Sequence, residues 1–328
     1  MKLIELKGVS KRFGKNIILE DVNLSIEEGD ILGVVGQSGS GKTTLLNLIS
    51  GFIQPSSGKV LHSFRATGKQ GSLSKELDKI KKLIGYAPQH NSFYPKLSVV
   101  ENMLHFGQLY GIKKPVLRNN IISLLNATEL YAHRKKLAEQ LSGGMQKRLD
   151  ISCSLVHKPR ILLLDEPTGD LDIILQREIM NFIQEVNKQG VTLVLATHQL
   201  DLLEKICNKV IIIHKGKVID NGLIEDIRKP FLKEDFTISL SPGENKERMI
   251  SILKTLPVEN IIDRGHYLVV HPKDTKVMVN SLLKIIEEEN LYLHDLDLRK
   301  PSLNEIFEKI ALEKLEERKP EEKVTRLP

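Results

Sequence analysis

Four short runs stand out along the first two thirds of the chain: residues 31–35 (ILGVV), 161–165 (ILLLD), 191–197 (VTLVLAT) and 210–214 (VIIIH). They are apolar nearly throughout rather than alternating, which is how strands buried on both faces read. Between them lie stretches with apolar residues at helical intervals, including 99–110 and 116–125. Strands alternating with helices predict an α/β fold, a parallel sheet with crossover helices. Lys215-Gly216, between 210–214 and the strand-like 217–220, predicts a hairpin turn. Residues 88–160 read as mainly helical, a helical subdomain inserted in the sheet domain. Residues 62–82, polar and rich in Ser, Lys and Gly, read as a loop with one short helix.

The pattern changes near Lys229-Pro230, so a first domain is placed at 1–230. Beyond it the spacing predicts strand 236–240, helix 244–256, strand 266–271, helix 275–289, strand 291–298 and helix 302–311. Together these make a small α+β domain over 235–312. In the last helix Leu303, Ile306, Phe307 and Ile310 fall at i, i+3, i+4 and i+7, a core-packing face. Residues 313–328 are charge-dense and poor in large apolar side chains, and predict a disordered tail.

A chain of 328 residues has room for two domains and a large core. Its 48 basic and 42 acidic residues leave +6, a mild excess that does not by itself call for nucleic acid. The two cysteines, Cys153 and Cys207, sit in apolar contexts without metal-ligand spacing and read as reduced core thiols of a cytosolic protein. The N-terminus has no apolar signal core and nowhere do eighteen apolar residues run together, so any relation to a membrane runs through a partner.

The chemistry begins at residues 36–43, GQSGSGKT, the G-x-x-x-x-G-K-[ST] pattern of a phosphate-binding loop. A strand precedes it and a helix follows, so the backbone N–H groups of Gly36, Gln37, Ser38, Gly39, Ser40 and Gly41 and the helix dipole converge on polyphosphate. Lys42 would reach the β- and γ-phosphates and the Thr43 hydroxyl would hold Mg²⁺, with Thr44 beside it. At 161–167, ILLLDEP, a strand ends in two carboxylates. Adjacent strand residues face opposite ways, which predicts different roles. Asp165 would join the Mg²⁺ shell and Glu166 would take a proton from attacking water. At 141–145, LSGGM, the residues Ser142, Gly143 and Gly144 open a helix and form a second anion-binding N-terminus.

With LSGGM in place the chain resembles the ATP-binding cassette (ABC) transporter ATPases, over residues 1 to about 230 and in the family's motif order. That resemblance implies an ABC-type P-loop domain with a mostly parallel sheet core, an antiparallel β part and an inserted helical subdomain. It implies that Phe13 stacks on adenine, although tyrosine is commoner there. Gln89, in GYAPQH, matches the glutamine that senses Mg²⁺ and the attacking water. His198, in LATHQL, matches the switch histidine at the γ-phosphate, and Asp172, in TGDLD, the loop that crosses to the opposing subunit. Gly169-Asp170 departs from the small-residue pair common there. The implied mechanism closes two cassettes head to tail around ATP, one P-loop facing Ser142, Gly143 and Gly144 of the other. The second cassette is either a homodimer copy or a paralogue.

What the ATPase drives is narrowed by 95–112, PKLSVVENMLHFGQLYGI, which resembles the segment that receives a permease helix in drug, polysaccharide and lipid exporters. The RKPSLNEIFEKIA end resembles the small C-terminal domain of the same exporter ATPases. The resemblance therefore implies an exporter's ATP-hydrolysing subunit, peripheral on the cytoplasmic membrane face through an integral-membrane permease, without nucleic acid. EPTGDLD is close to the EPTGNLD of lipoprotein-release and cell-division cassettes, which stand second. Soluble repair or ribosomal cassettes stand further back, since no long coiled coil and no second cassette is visible. A P-loop kinase would have no use for Ser142, Gly143, Gly144 or His198, and sugar importers carry a larger β-rich C-terminal domain.

Overall fold

The computed structural model describes residues 1–63, 71–72, 80–227, 237–288 and 293–299. The chain divides into two compact units, Met1–Ile224 and Glu225–Pro328. Among the described residues the first unit is built on a ten-stranded sheet of order β5-β4-β1-β2-β10-β9-β3-β8-β7-β6. Its centre is parallel: β3 (Ile31–Val35) lies between β8 (Thr192–Thr197) and β9 (Lys209–His214), and β7 (Ile161–Asp165) between β8 and β6 (Ile84–Ala87). Strands β3, β7 and β8 are buried at every position, the physical counterpart of their unbroken apolar sequence. The hairpin to β10 (Lys217–Leu223) turns on Lys215 and Gly216 at φ 47° and 79°, two left-handed residues in succession.

Outside that core the long strands β1 (Lys2–Phe13) and β2 (Asn16–Glu27) pair antiparallel, and β4 (Ser57–His62) with β5 (Gly71–Ser72) extends the edge. Of residues 62–82, the described part therefore includes a strand pairing rather than loop alone. Helix α1 (Lys42–Ser50) follows β3 directly. The helical region contains α2 (Val99–Leu109), α3 (Lys114–Ala127) and α4 (Gly143–Leu155) around their own apolar cluster, with Val99, Met103, Leu117, Ile121 and Leu149 at its centre. Local sequence sets the starts of these helices. Ser98 and Glu101 close a capping box on α2, Pro115 stands in the first turn of α3, and Ser142 caps α4. Helices α5 (Ile173–Lys188) and α6 (Leu200–Ile206) complete the unit.

The second unit is an antiparallel sheet of order β12-β13-β11-β14 carrying α7 (Lys246–Leu253) and α8 (Thr275–Glu288). Its strands are β11 (Thr237–Ser241), β12 (Val258–Asp263), β13 (Leu268–Pro272) and β14 (Asp295–Arg299). Ile238, Leu240, Met249, Leu253, Leu268, Val270, Met278 and Leu282 form its core. Strand β12 corrects the sequence reading, which had none there: it is a half-exposed edge strand whose VENIID pattern does not alternate. The domain break at Lys229-Pro230, the helix at 302–311 and the tail lie outside the described residues. No described helix is long and apolar enough to cross a membrane.

Candidate functional site

The parallel strands β3, β7 and β8 end side by side, and the loops after them meet in a cleft of about 770 Å³. An open α/β sheet places its ligand crevice there, outside the carboxyl ends of its strands. Gln37, Ser38, Gly39, Gly41, Lys42, Thr43 and Thr44 line one wall, while Gln89, Asp165, Glu166 and His198 line the other. Gly169, Asp170 and Gln199 join them, three residues that sequence reasoning did not select. Gly36 and Ser40 lie behind the wall. The Ser40 hydroxyl is buried without a hydrogen-bond partner among the described residues, and a Cβ on Gly36 would run into that hydroxyl and the Ile213 carbonyl. Gly41 holds φ 109°, a conformation side chains resist, and it turns the chain from loop into α1.

Lys42 is 8% exposed. Its ammonium donates to the carbonyl oxygens of Gly36 at 2.8 Å and Gln37 at 3.4 Å and stands 3.7 Å from Glu166 Oε1. Glu166 is fixed on both oxygens: Thr197 donates its hydroxyl to Oε2 at 2.9 Å, and His198 Nδ1 lies 3.0 Å from Oε1. Its backbone amide donates to the Ala196 carbonyl at 2.8 Å, next to the end of β8. The strand-alternation argument for Asp165 and Glu166 fails here. Strand β7 stops at Asp165, and Glu166 takes a left-handed φ of 46°, so both carboxylates line the same cleft. A non-glycine residue held in that region is strain kept by its surroundings.

Burial pushes the Asp165 carboxyl upward, against the pull of the Thr43 hydroxyl bonded to it. Tyr86 shares a hydrogen bond with Asp165, and its phenol is raised by burial and then by that carboxylate. Asp165 Oδ1 has no hydrogen-bond partner among the described residues. A hydroxyl and an unfilled carboxylate oxygen at the mouth of a phosphate-sized loop suit a hard, oxygen-seeking cation carried in with polyphosphate. The orphaned Ser40 hydroxyl and the tight glycine turn fit the polyphosphate itself.

Not every residue singled out from sequence reaches this cleft. Phe13 is half exposed, with the Lys11 ammonium 4.9 Å from its ring centroid. Ser142 and Gly143 are exposed at the start of α4. Asp172 spends its Oδ1 capping α5, accepting from the amides of Ile174 and Leu175 at 3.0 Å each. A larger cleft, about 870 Å³, opens between α3, α4 and α5, but its Arg148 is already matched by Glu129 and Glu178 at 2.7 and 2.6 Å.

Fold and cleft together define a P-loop nucleotide-binding protein. Residues 19–169 match the ABC transporter family and residues 222–311 the C-terminal domain of DrrA1-3-like ATP-binding proteins. An uncharacterized ABC transporter ATP-binding protein of Methanocaldococcus jannaschii is 33% identical over 68% of this chain and 79% of its own length. The linearmycin resistance ATP-binding protein LnrL of Bacillus subtilis is 27% identical over 93% of this chain and 97% of its own. The methionine import ATP-binding protein MetN of Clostridioides difficile is 32% identical over 69% of this chain and 70% of its own. Among solved structures, a dimeric ATP-binding cassette in a post-hydrolysis state with ADP and Pi aligns at TM-score 0.59 and 30% identity, over 68% of this chain and 99% of that one. The chain belongs to the ABC transporter ATPases, a family that hydrolyses ATP.

Proposed function

We propose that this chain hydrolyses ATP as one of two cassettes and drives export through a separate membrane permease. The observation that supports export is the second unit. It matches the DrrA-like C-terminal domain, and a relative that spans 93% of the chain carries the name of a linearmycin resistance protein. The methionine-import relative covers only 69% of the chain, little more than the first unit. Motifs of the nucleotide site do not discriminate direction; an appended domain does more, because function follows such additions rather than the shared fold.

In this reading the loop amides and Lys42 hold the triphosphate. Lys42 is already aimed by the Gly36 carbonyl, so little of its freedom is lost on binding. Thr43, Gln89 and Asp165 would hold Mg²⁺, which would neutralise charge developing on the transferring phosphoryl group. Glu166, oriented by Thr197, accepts a proton from the attacking water while His198 keeps contact with the γ-phosphate. Ser142, Gly143 and Gly144 bring their free amides to the nucleotide of the opposing cassette, since they do not line the cleft of their own. Phe13 stacks on the base and Asp172 lies at the seam between cassettes. The chain works at the cytoplasmic membrane face.

Affinity purification of the full chain from detergent-solubilised native membranes tests the export half. A six-helix-type export permease is expected. A four-helix subunit with a large extracytoplasmic domain would move the assignment to the lipoprotein-release type, and ribosomes or DNA alone would end the transporter reading.

A further inference from the structure

One side of α4 grips the segment that carries Gln89 along its whole length. The Ser154 hydroxyl donates to the Tyr86 carbonyl at 2.9 Å, and the Lys147 ammonium to those of Pro88 and Gln89 at 3.4 and 3.3 Å. The Asn91 amide donates to Gln146 Oε1 at 3.2 Å. Asp150 Oδ1 accepts from the Ser92 backbone amide at 2.8 Å and from its hydroxyl at 2.6 Å. Residues 147, 150 and 154 recur at i, i+3 and i+7, one stripe of a helix. Lys147 is 6% exposed and Asp150 is fully buried. An ammonium and a carboxylate that are taken out of water and bonded mostly to loop backbone are a costly way to fill space, and an apolar residue would do it with less penalty. The same helix begins at Ser142, and a Cβ on Gly144 would press on the Leu175 side chain of α5.

We propose that Lys147 and Asp150 are positioning residues for hydrolysis: they clamp residues 86–92 to α4, so that Gln89 and the turn at Ser142, Gly143 and Gly144 move as one body. Neither side chain lines the cleft, so both act through Gln89. Burial pulls the Lys147 ammonium below the usual lysine range, and the nearby carboxylates Asp150, Asp165, Asp170 and Glu166 work against that pull. A change at Gln89 when nucleotide enters is then felt at the opposite cassette's phosphate without any flexible link between. The inference rests on the roles proposed above for Gln89 and the turn.

The test uses the full chain with Lys147→Met, Lys147→Arg and Ser92→Ala, the last removing a hydroxyl from an exposed loop residue without entering the helix core. Amide hydrogen exchange is followed without nucleotide, and ATP turnover separately. Lys147→Met is expected to speed exchange about tenfold at the Ser92 amide, which Asp150 holds, as expected when a local clamp is released. It should lower kcat about tenfold with KM for ATP changed less than about twofold, the signature of lost positioning. Lys147→Arg should recover most of both, and Ser92→Ala should speed exchange about threefold by loss of one hydrogen bond. On a Gln89→Ala background Lys147→Met should add almost nothing, because the two act in series. Unchanged exchange at the Ser92 amide in both Lys147→Met and Ser92→Ala, or fully additive kcat losses, would overturn the clamp. If the wild-type chain turns over no ATP, the function proposed above fails, while the exchange result still decides the clamp.

Discussion

Two glycine-led helix starts in this chain look alike in sequence and differ in almost every physical respect. At α1, GSGKT enters through a left-handed Gly41 whose Cβ would strike Leu19, and its Lys42 is buried among carbonyls and Glu166. At α4, SGGM enters through an ordinary N-cap: Ser142 accepts its own Met145 amide at 3.4 Å, and a Cβ on Gly143 would meet nothing closer than 3.9 Å. Glycine at the first start is demanded by the fold itself. At the second, nothing among the described residues demands it at Gly143. A residue whose smallness the monomer does not use calls for something that arrives from outside, and in the function proposed above that is a second cassette. In that reading one start is a whole site and the other is half of one.

The largest effect tests whether the halves meet. Glu166→Gln keeps the Thr197 contact available but removes the proton acceptor, and hydrolysis should fall about a thousandfold. ATP should stay bound and hold two chains together, so light scattering at saturating ATP and Mg²⁺ should report a dimer. Monomers under those conditions would separate the two starts and leave α4 without a role at the nucleotide.

Next in size is Lys42→Ala. It strips a charge-assisted contact from the triphosphate and leaves Glu166 without its buried cation, so ATP affinity in calorimetry should drop about a hundredfold. Unchanged affinity would remove the first start from the nucleotide site.

A glycine pair sharpens the contrast further. Gly36→Ala forces its new methyl group against the Ile213 carbonyl, which is backbone and cannot swing away, so the variant should melt lower and bind ATP poorly. Gly143→Ala has open space, so its melting point and ATP affinity should match the parent, yet turnover should fall about tenfold as the methyl group displaces the facing phosphate. Full turnover in Gly143→Ala would show that the second start faces nothing.

Much of this contrast could be read before the fold was known, but unevenly. The buried strands β3, β7, β8 and β9 and the turn at Lys215-Gly216 announce themselves because local composition and tertiary burial agree there. Strands β1 and β2 do not, since their pairing slips register four times and breaks the alternation that marks a strand. The grip of Asp150 on Ser92 was invisible for another reason. Asp150 belongs to no motif in LDIS, and only a contact 58 residues away shows what its buried carboxylate holds. The direction in which Glu166 faces was misread because its left-handed backbone is tied to the Ala196 carbonyl on a neighbouring strand, a contact distant in sequence.

The smallest effect concerns a residue that neither start holds. Phe13 lies at the end of β1, outside the cleft, with 53% of its surface open and a lysine ammonium over its ring. Such an aromatic has a face to offer, and a stacked base would cover it and add about 1 kcal/mol, or roughly fivefold in affinity. Phe13→Ala should therefore weaken ATP about fivefold and leave inorganic triphosphate binding unchanged, because the loop at 36–43 and Lys42 are untouched. Equal losses for both ligands would mean that the ring acts through β1 on the fold, and the base would then have to be held elsewhere. An unequal loss would extend the first start outward by one residue and make the cleft a nucleotide site rather than a phosphate site alone.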